Sequence, residues 1–141
     1  MKRLKSAVIL LLGLSMATMM TSCNKESSYQ DKIIGKWQVT KIIWYTYDLS
    51  GTLVDESVFN DIDDVYEFFS NGSVYANVED GEIYTVSYVI TGNTLSFIFG
   101  MPFEEHTILE LTNSTMVWEL ESVDSDNNRK YVTRRELRKV N

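Results

Sequence analysis

The run Asp64–Val78, DVYEFFSNGSVYANV, decides how the rest of the chain is read. Apolar and polar residues alternate through DVYEFF and again through SVYANV, with Ser70-Asn71-Gly72 between them. Period-two alternation places alternate side chains on opposite faces of a strand, and Asn-Gly tolerates the positive φ of a tight hairpin. The stretch reads as a β-hairpin. Downstream the pattern repeats: Glu82–Phe99 predicts a hairpin turning at Thr91-Gly92-Asn93, and Thr107–Glu121 one turning at Asn113-Ser114. A polar loop, Ser122–Asn128, then leads to a last strand from about Lys130 to Leu137. Upstream, KWQVTKIIWYTY (Lys36–Tyr47) predicts a first strand long enough to need a bulge or bend. The loop Asp48–Asp63 follows it, with room for a short helical turn near Glu56–Asn60. Beyond residue 32 no run has helical spacing.

Eight strands joined by short connections predict an all-β fold, an eight-stranded antiparallel up-and-down barrel. Eight is the strand number at which a closed interior just fits side chains or one small ligand. Closure also removes the free edges that a chain this rich in Tyr, Phe, Val and Ile would otherwise expose. Alternation assigns an inward set: Trp37 and Val39; Tyr66 and Phe68; Val74, Ala76 and Val78; Tyr84, Val86, Tyr88 and Ile90; Leu95, Phe97 and Phe99; Leu109 and Leu111; Met116, Trp118 and Leu120; and Tyr131. The first strand leaves its parity open, with Ile42 and Trp44 on one face and Ile43, Tyr45 and Tyr47 on the other. The barrel-lining candidates for a ligand are Tyr66, Phe68, Tyr84, Tyr88, Phe97, Phe99 and Trp118. Tyrosine hydroxyls in an apolar interior are sparse polar handles of the kind that orient an apolar or amphipathic molecule. The same rings would equally fill a small barrel and leave a solid core. Asp48–Asp63 and Gly100–His106 are the expected mouth loops, with Met101 and Phe103 at the rim.

The 141 residues make at most one domain. The N-terminus carries Lys2, Arg3 and Lys5 before a stretch from Ala7 to Met20 interrupted only by Ser15 and Thr18 among polar residues. Fourteen residues at about 1.5 Å each fall short of a bilayer core of about 30 Å, so residues 1–22 read as an export signal. Met20-Thr21-Ser22-Cys23 resembles the bacterial lipobox, which implies cleavage before Cys23 and lipid on its sulfur. The alternative is an ordinary signal peptide with Cys23 a bystander. Residues 23–32 read as a polar tether and 33–141 as the barrel domain.

Charge is segregated along the chain. Thirteen Lys and Arg face 20 Asp and Glu, and between positions 42 and 128 there are 17 acidic residues and no Lys or Arg. Such a body argues against nucleic acid and against electrostatic adhesion to anionic lipid, so any membrane attachment falls to the anchor. The basic residues of the last strand, from Arg129 to Lys139, are expected beside the first strand once the barrel closes.

Candidate chemistry is thin. The cluster Asp61, Asp63, Asp64 and Glu67 offers oxygen ligands but matches no defined calcium loop. Asp124-Ser125-Asp126-Asn127-Asn128 starts like such a loop, then places Arg129 where a glycine is required. His106 with Glu104 and Glu105 is a weak zinc set, because adjacent residues cannot all point at one ion. The single cysteine excludes an internal disulfide. No phosphate loop, dinucleotide fingerprint or nucleophile elbow is present. The reading is no enzyme, no metal and no cofactor.

Gly35-Lys36-Trp37, the aromatic strand ending in Asn71-Gly72, Tyr88 with Gly92-Asn93-Thr94-Leu95, LTNSTMVWE (Leu111–Glu119) and Tyr131–Arg135 occur in an order similar to that of the small lipocalin-like lipoproteins of Bacteroidetes-type bacteria. The resemblance covers most of residues 34–138. It implies a lipocalin-like barrel in the bacterial cell envelope, on the outer membrane and facing either periplasm or exterior, with no catalytic residues. It also implies a closed-end pair of Trp37 with an arginine of the last strand, Arg135 by parity or else Arg134. Two roles follow: a binding module for a small apolar or amphipathic ligand, or an accessory protein with a solid core whose loops engage an envelope protein. In a bacterial host fed labelled palmitate, the wild-type chain should take up label and Cys23→Ala should not. Label on the variant would exclude this anchor.

Overall fold

The computed structural model describes residues 25–60, 62–78, 82–100 and 103–141. The segment 1–22 expected as an export signal, Cys23, Asp61, Met101 and Pro102 lie outside them. A helix, α1 (Lys25–Ile33), precedes nine strands: β1 (Gly35–Asp48), β2 (Leu53–Asn60), β3 (Val65–Phe68), β4 (Ser73–Val78), β5 (Glu82–Thr91), β6 (Thr94–Ile98), β7 (Glu104–Leu111), β8 (Thr115–Asp124) and β9 (Arg129–Val140). All strand neighbours are antiparallel, and β1 pairs with both β3 and β9, so β1 and β3–β9 form a closed eight-stranded barrel. β2 is the additional strand, outside the ring.

β1 organises this arrangement. Along one edge it pairs with β9 from Lys36 to Asp48. Along the other it pairs first with β3, at Gly35–Gln38, and then with β2, at Lys41–Tyr47. The segment expected as a loop with a helical turn at Glu56–Asn60 is therefore mostly strand. Leu53, Val54, Val58 and Phe59 suit a β-ladder, and the long first strand offers a second half of its edge to pair with. At the break between β2 and β3, Val39 N donates to Asp64 O at 3.0 Å and Gln38 Nε2 to Ile62 O at 2.7 Å.

Register shifts settle the parity that alternation left open. A bulge between Val39 and Lys41 puts Trp37, Val39, Ile42 and Trp44 on the inner face. A second, between Ile108 and Glu110, reverses the expectation for Leu109, which is exposed while Ile108 is buried. Phe99 and Tyr131, expected inside, are 49% and 39% exposed because they sit at the open end. The hairpin turns hold. Gly72 has φ +81°, whereas Asn71 needs no positive φ and instead accepts from Ser73 N at 3.0 Å through its side chain.

The two ends of the barrel differ. The turns at 69–73, 92–93 and 112–114 share one end with Trp37. The segment 23–32, expected as a polar tether, contributes most of α1 from Lys25 onward, and this helix packs over this end against β5 and β7. Burial of Ile33, with Tyr29 and Ile34 against the core, supplies a tertiary reason for helix in a segment with little apolar periodicity. Trp37 is fully buried, and its Nε1 donates to Ile33 O at 2.7 Å. The cation beside it is Lys139, not Arg135: Nζ lies 5.1 Å from the ring centroid and donates to Lys32 O at 3.1 Å. Lys139 pairs with Trp37 in the ladder, while Arg135 pairs with Ile42, farther along the strand. Gly35, at φ +119°, belongs to the same corner, where an added Cβ would meet Lys139 Cε at 2.8 Å. Replacing Trp37 by Ala should cost about 3–5 kcal/mol in urea unfolding. An unchanged midpoint would remove Trp37 from the core.

Candidate functional site

The inner face is layered along the barrel axis. Trp37, Val39, Phe68, Val74, Leu95 and Met116 form a fully buried apolar floor. Tyr88 also belongs to the floor, since its ring meets Phe68 edge-on at 5.0 Å and its hydroxyl donates to Phe69 O at 3.0 Å. Above lies a ring cluster centred on Trp118. Tyr66 and Phe97 meet it edge-on at 5.2 and 6.0 Å, and His106 lies tilted against it at 5.6 Å. This half of the interior is filled, as the solid-core reading expects.

Toward the mouth the character changes. Arg135 pairs with Trp118 on β8 and with Ile42 on β1, both inward-facing, so it occupies the inner face. Its Nε, Trp118 Nε1 and both ring nitrogens of His106 are buried without an aligned hydrogen bond. Each buried polar group left unpaired costs about 1–3 kcal/mol, so several in one place mark a region poised to accept polar atoms. Glu104 is the nearest counter-charge: its Oε1 lies 2.8 Å from His106 Nε2. That approach is close but off the donor line, an electrostatic contact rather than an aligned hydrogen bond. It holds the Glu104 carboxyl below its ordinary range, with a smaller contribution from Arg135. Burial raises the Tyr66 hydroxyl well above its ordinary value, while Arg135 opposes the shift. His106 was considered as a metal ligand and is instead a core side chain. Its sequence signal was available in His106-Thr107-Ile108, where both alternate residues face inward.

The rim is aromatic. Trp44 and Phe59, in tilted ring contact at 4.6 Å across β1 and β2, are substantially exposed, as are Phe99, Phe103 and Tyr131. A groove of about 490 Å³ lies between Phe99, Phe103, Glu104, Glu105, Leu120 and Glu121. Another, of about 250 Å³, runs along Trp44, Thr46, Asp55, Ser57, Tyr131 and Thr133. Of the seven sequence-derived lining residues, Tyr66, Phe68, Tyr88, Phe97 and Trp118 are buried in the filled half. Tyr84 packs against the core and contacts Phe99 edge-on at 5.3 Å. Tyr84 and Phe99 thus mark the transition to the open cup. Sequence reasoning gave Arg135 the inner parity but set it at the closed end beside Trp37, and it left the face of Trp44 open and did not find Phe59 at the rim.

Asp124 and Asp64 have structural settings. Asp124 accepts from Asp126 N and Asn127 N, both at 3.1 Å, as a solvated turn does. Asp64 is buried, and its carbonyl joins the β1–β3 junction. Among the described residues, no group of three or more His, Cys, Asp or Glu is placed to hold a metal ion.

Residues 33–118 match the lipocalin-like domain family, and the chain belongs to that family. No curated protein matches the chain. Because Glu104 titrates lower in the folded chain than when unfolded, its contribution to stability is complete above its ordinary pKa of about 4.3. It disappears as pH falls through the depressed folded value. Urea midpoints of wild type and Glu104→Gln should therefore differ by a constant amount at pH 6–7 and converge on acidification. A gap widening toward pH 3 would refute the assignment.

Proposed function

We propose that this chain is a lipid-anchored protein of the bacterial cell envelope, non-enzymatic, that holds a small apolar or amphipathic molecule in the mouth of its barrel. The observation that carries the binding role is the cup: exposed Trp44, Phe59, Phe99, Phe103 and Tyr131 surround an inner face whose next layer holds buried unpaired polar atoms. Large exposed aromatics around a concavity are unfavourable in water unless something covers them, and sparse polar groups beneath give orientation. Support for the anchor is the sequence alone, the apolar segment ending at Cys23. An acidic exterior leaves attachment to that anchor.

A second reading rests on β2. It lies at the end of the sheet order, and Leu53, Val54, Val58 and Phe59 are all exposed. An exposed apolar strand with one unpaired edge suits an envelope protein partner that adds a strand.

The neutral fluorophore N-phenyl-1-naphthylamine discriminates between these readings. The full chain should bind it saturably at one site, and Leu120→Arg, which puts a charge into the cup, should weaken binding at least about tenfold. The melting temperature should be unchanged. Non-saturable binding, or saturable binding indifferent to Leu120→Arg, would overturn the cup as the site.

A further inference from the structure

The N-terminal helix ties the chain to one end of the barrel. α1 begins at Lys25, two residues after Cys23, and two residues reach at most about 7 Å. The helix lies over the closed end, with Ile33 fully buried, Tyr29 and Ile34 against the core, and contacts to β5 and β7. The 14 residues of β1 rise about 3.3 Å each, so at a tilt of about 40° the mouth stands roughly 30 Å from this end.

Surface chemistry divides along the same axis. The closed-end turns, Ser70-Asn71-Gly72, Gly92-Asn93 and Asn113-Ser114, carry no charge. Phe69, Val89 and Leu109, within a few residues of these turns, are exposed. Lys32 ends α1, and Lys36, Arg138 and Lys139 stand where β1 begins and β9 ends. Their acidic neighbours at this end are Asp31, Glu67, which is paired with Lys36 in the ladder, and Glu110, which accepts from the Thr115 hydroxyl. The mouth is instead acidic, with Asp48, Asp55, Glu104, Glu105, Asp124 and Asp126. Its cations already have neighbours: Lys130 meets Glu121 at 3.2 Å, and Arg129 is paired with Asp48 in the ladder.

We infer that the barrel stands closed end down on the bilayer that holds Cys23, with Phe69 and the uncharged turns at the headgroups and the mouth turned to water. This rests on the lipid anchor proposed above and adds how the protein meets the membrane. The lipid enters the bilayer at Cys23. A barrel lying mouth down would hold that cysteine roughly 30 Å above the surface, which a link of about 7 Å cannot span. Carboxylates crowded around the mouth would also lose hydration and meet anionic headgroups on approach, whereas uncharged turns and an exposed phenylalanine suit the interface. The cup is therefore filled from the aqueous compartment and not from the leaflet beneath it. β2, which ends the sheet order, is presented on the same side as the mouth.

Height above the bilayer tests the inference. In lipid-bearing protein purified from a bacterial host Cys23 is blocked, so Asn113→Cys at the closed end and Ser125→Cys at the mouth, both in exposed turns, each accept one fluorophore. The labelled chains are reconstituted in vesicles of phosphatidylcholine and phosphatidylglycerol that carry an energy acceptor on the headgroups. The label at position 113 should lie at the headgroups and the label at position 125 roughly 30 Å farther out. Flotation of wild type and Cys23→Ala with unlabelled vesicles reads the anchor separately. Equal heights, or a label at 125 nearer the bilayer, in protein that floats through Cys23 would overturn the orientation and leave the anchor in place. If wild type does not float, or Cys23→Ala floats equally well, the anchor is excluded and the orientation with it.

Discussion

The ladder between β1 and β9 is the constraint on which the rest of the molecule depends. It joins the first strand to the last over Lys36–Asp48, converting a meander into a ring. Closure gives the chain an inside. It also gives one strand two environments, because β1 is longer than the barrel wall its other neighbour, β3, can supply. Trp37 is thereby fixed beneath α1 at the closed end, and Trp44, on the same inner face, emerges at the open one. β2 fills the edge that β3 leaves vacant and raises the wall on one side of the mouth.

Packing and polarity are distributed unevenly along the barrel axis. The floor and the Trp118 cluster are dense with rings in edge-on contacts, which add to the burial energy of each side chain. Stability is concentrated there. His106, Arg135 and Trp118 bring polar atoms inside with incomplete partners, and at the open end five large aromatic side chains face water. A barrel built only for stability would replace these with aliphatic residues in the interior and polar ones at the rim. Their placement together at one end is the structural basis for reading that end as functional.

Charge segregation along the sequence acquires a spatial meaning through the same closure. Acidic β8 and basic β9 lie side by side, so Glu119 and Glu121 meet Arg134 and Lys130 on the outer face. These exposed pairs contribute little individually to stability. The inward-facing Arg135 has no carboxylate of its own among the described residues and lies beside tryptophan and tyrosine rings.

Much of this was legible in the residues. Alternation around Asn71-Gly72 and Gly92-Asn93 located the hairpins, and Gly35-Lys36-Trp37 marked the start of the barrel, because side-chain period and turn chemistry are local properties. The tertiary structure decided which residues meet. Two bulges shifted parity, exposing Leu109, burying Ile108 and bringing Ile42 and Trp44 inside. Lys139 rather than Arg135 came to stand over Trp37, because cross-strand partners follow from a register set by the whole ring. α1 and β2 exist for the same reason: neither has a strong pattern of its own, and each forms where the closed barrel offers a surface or an edge to cover.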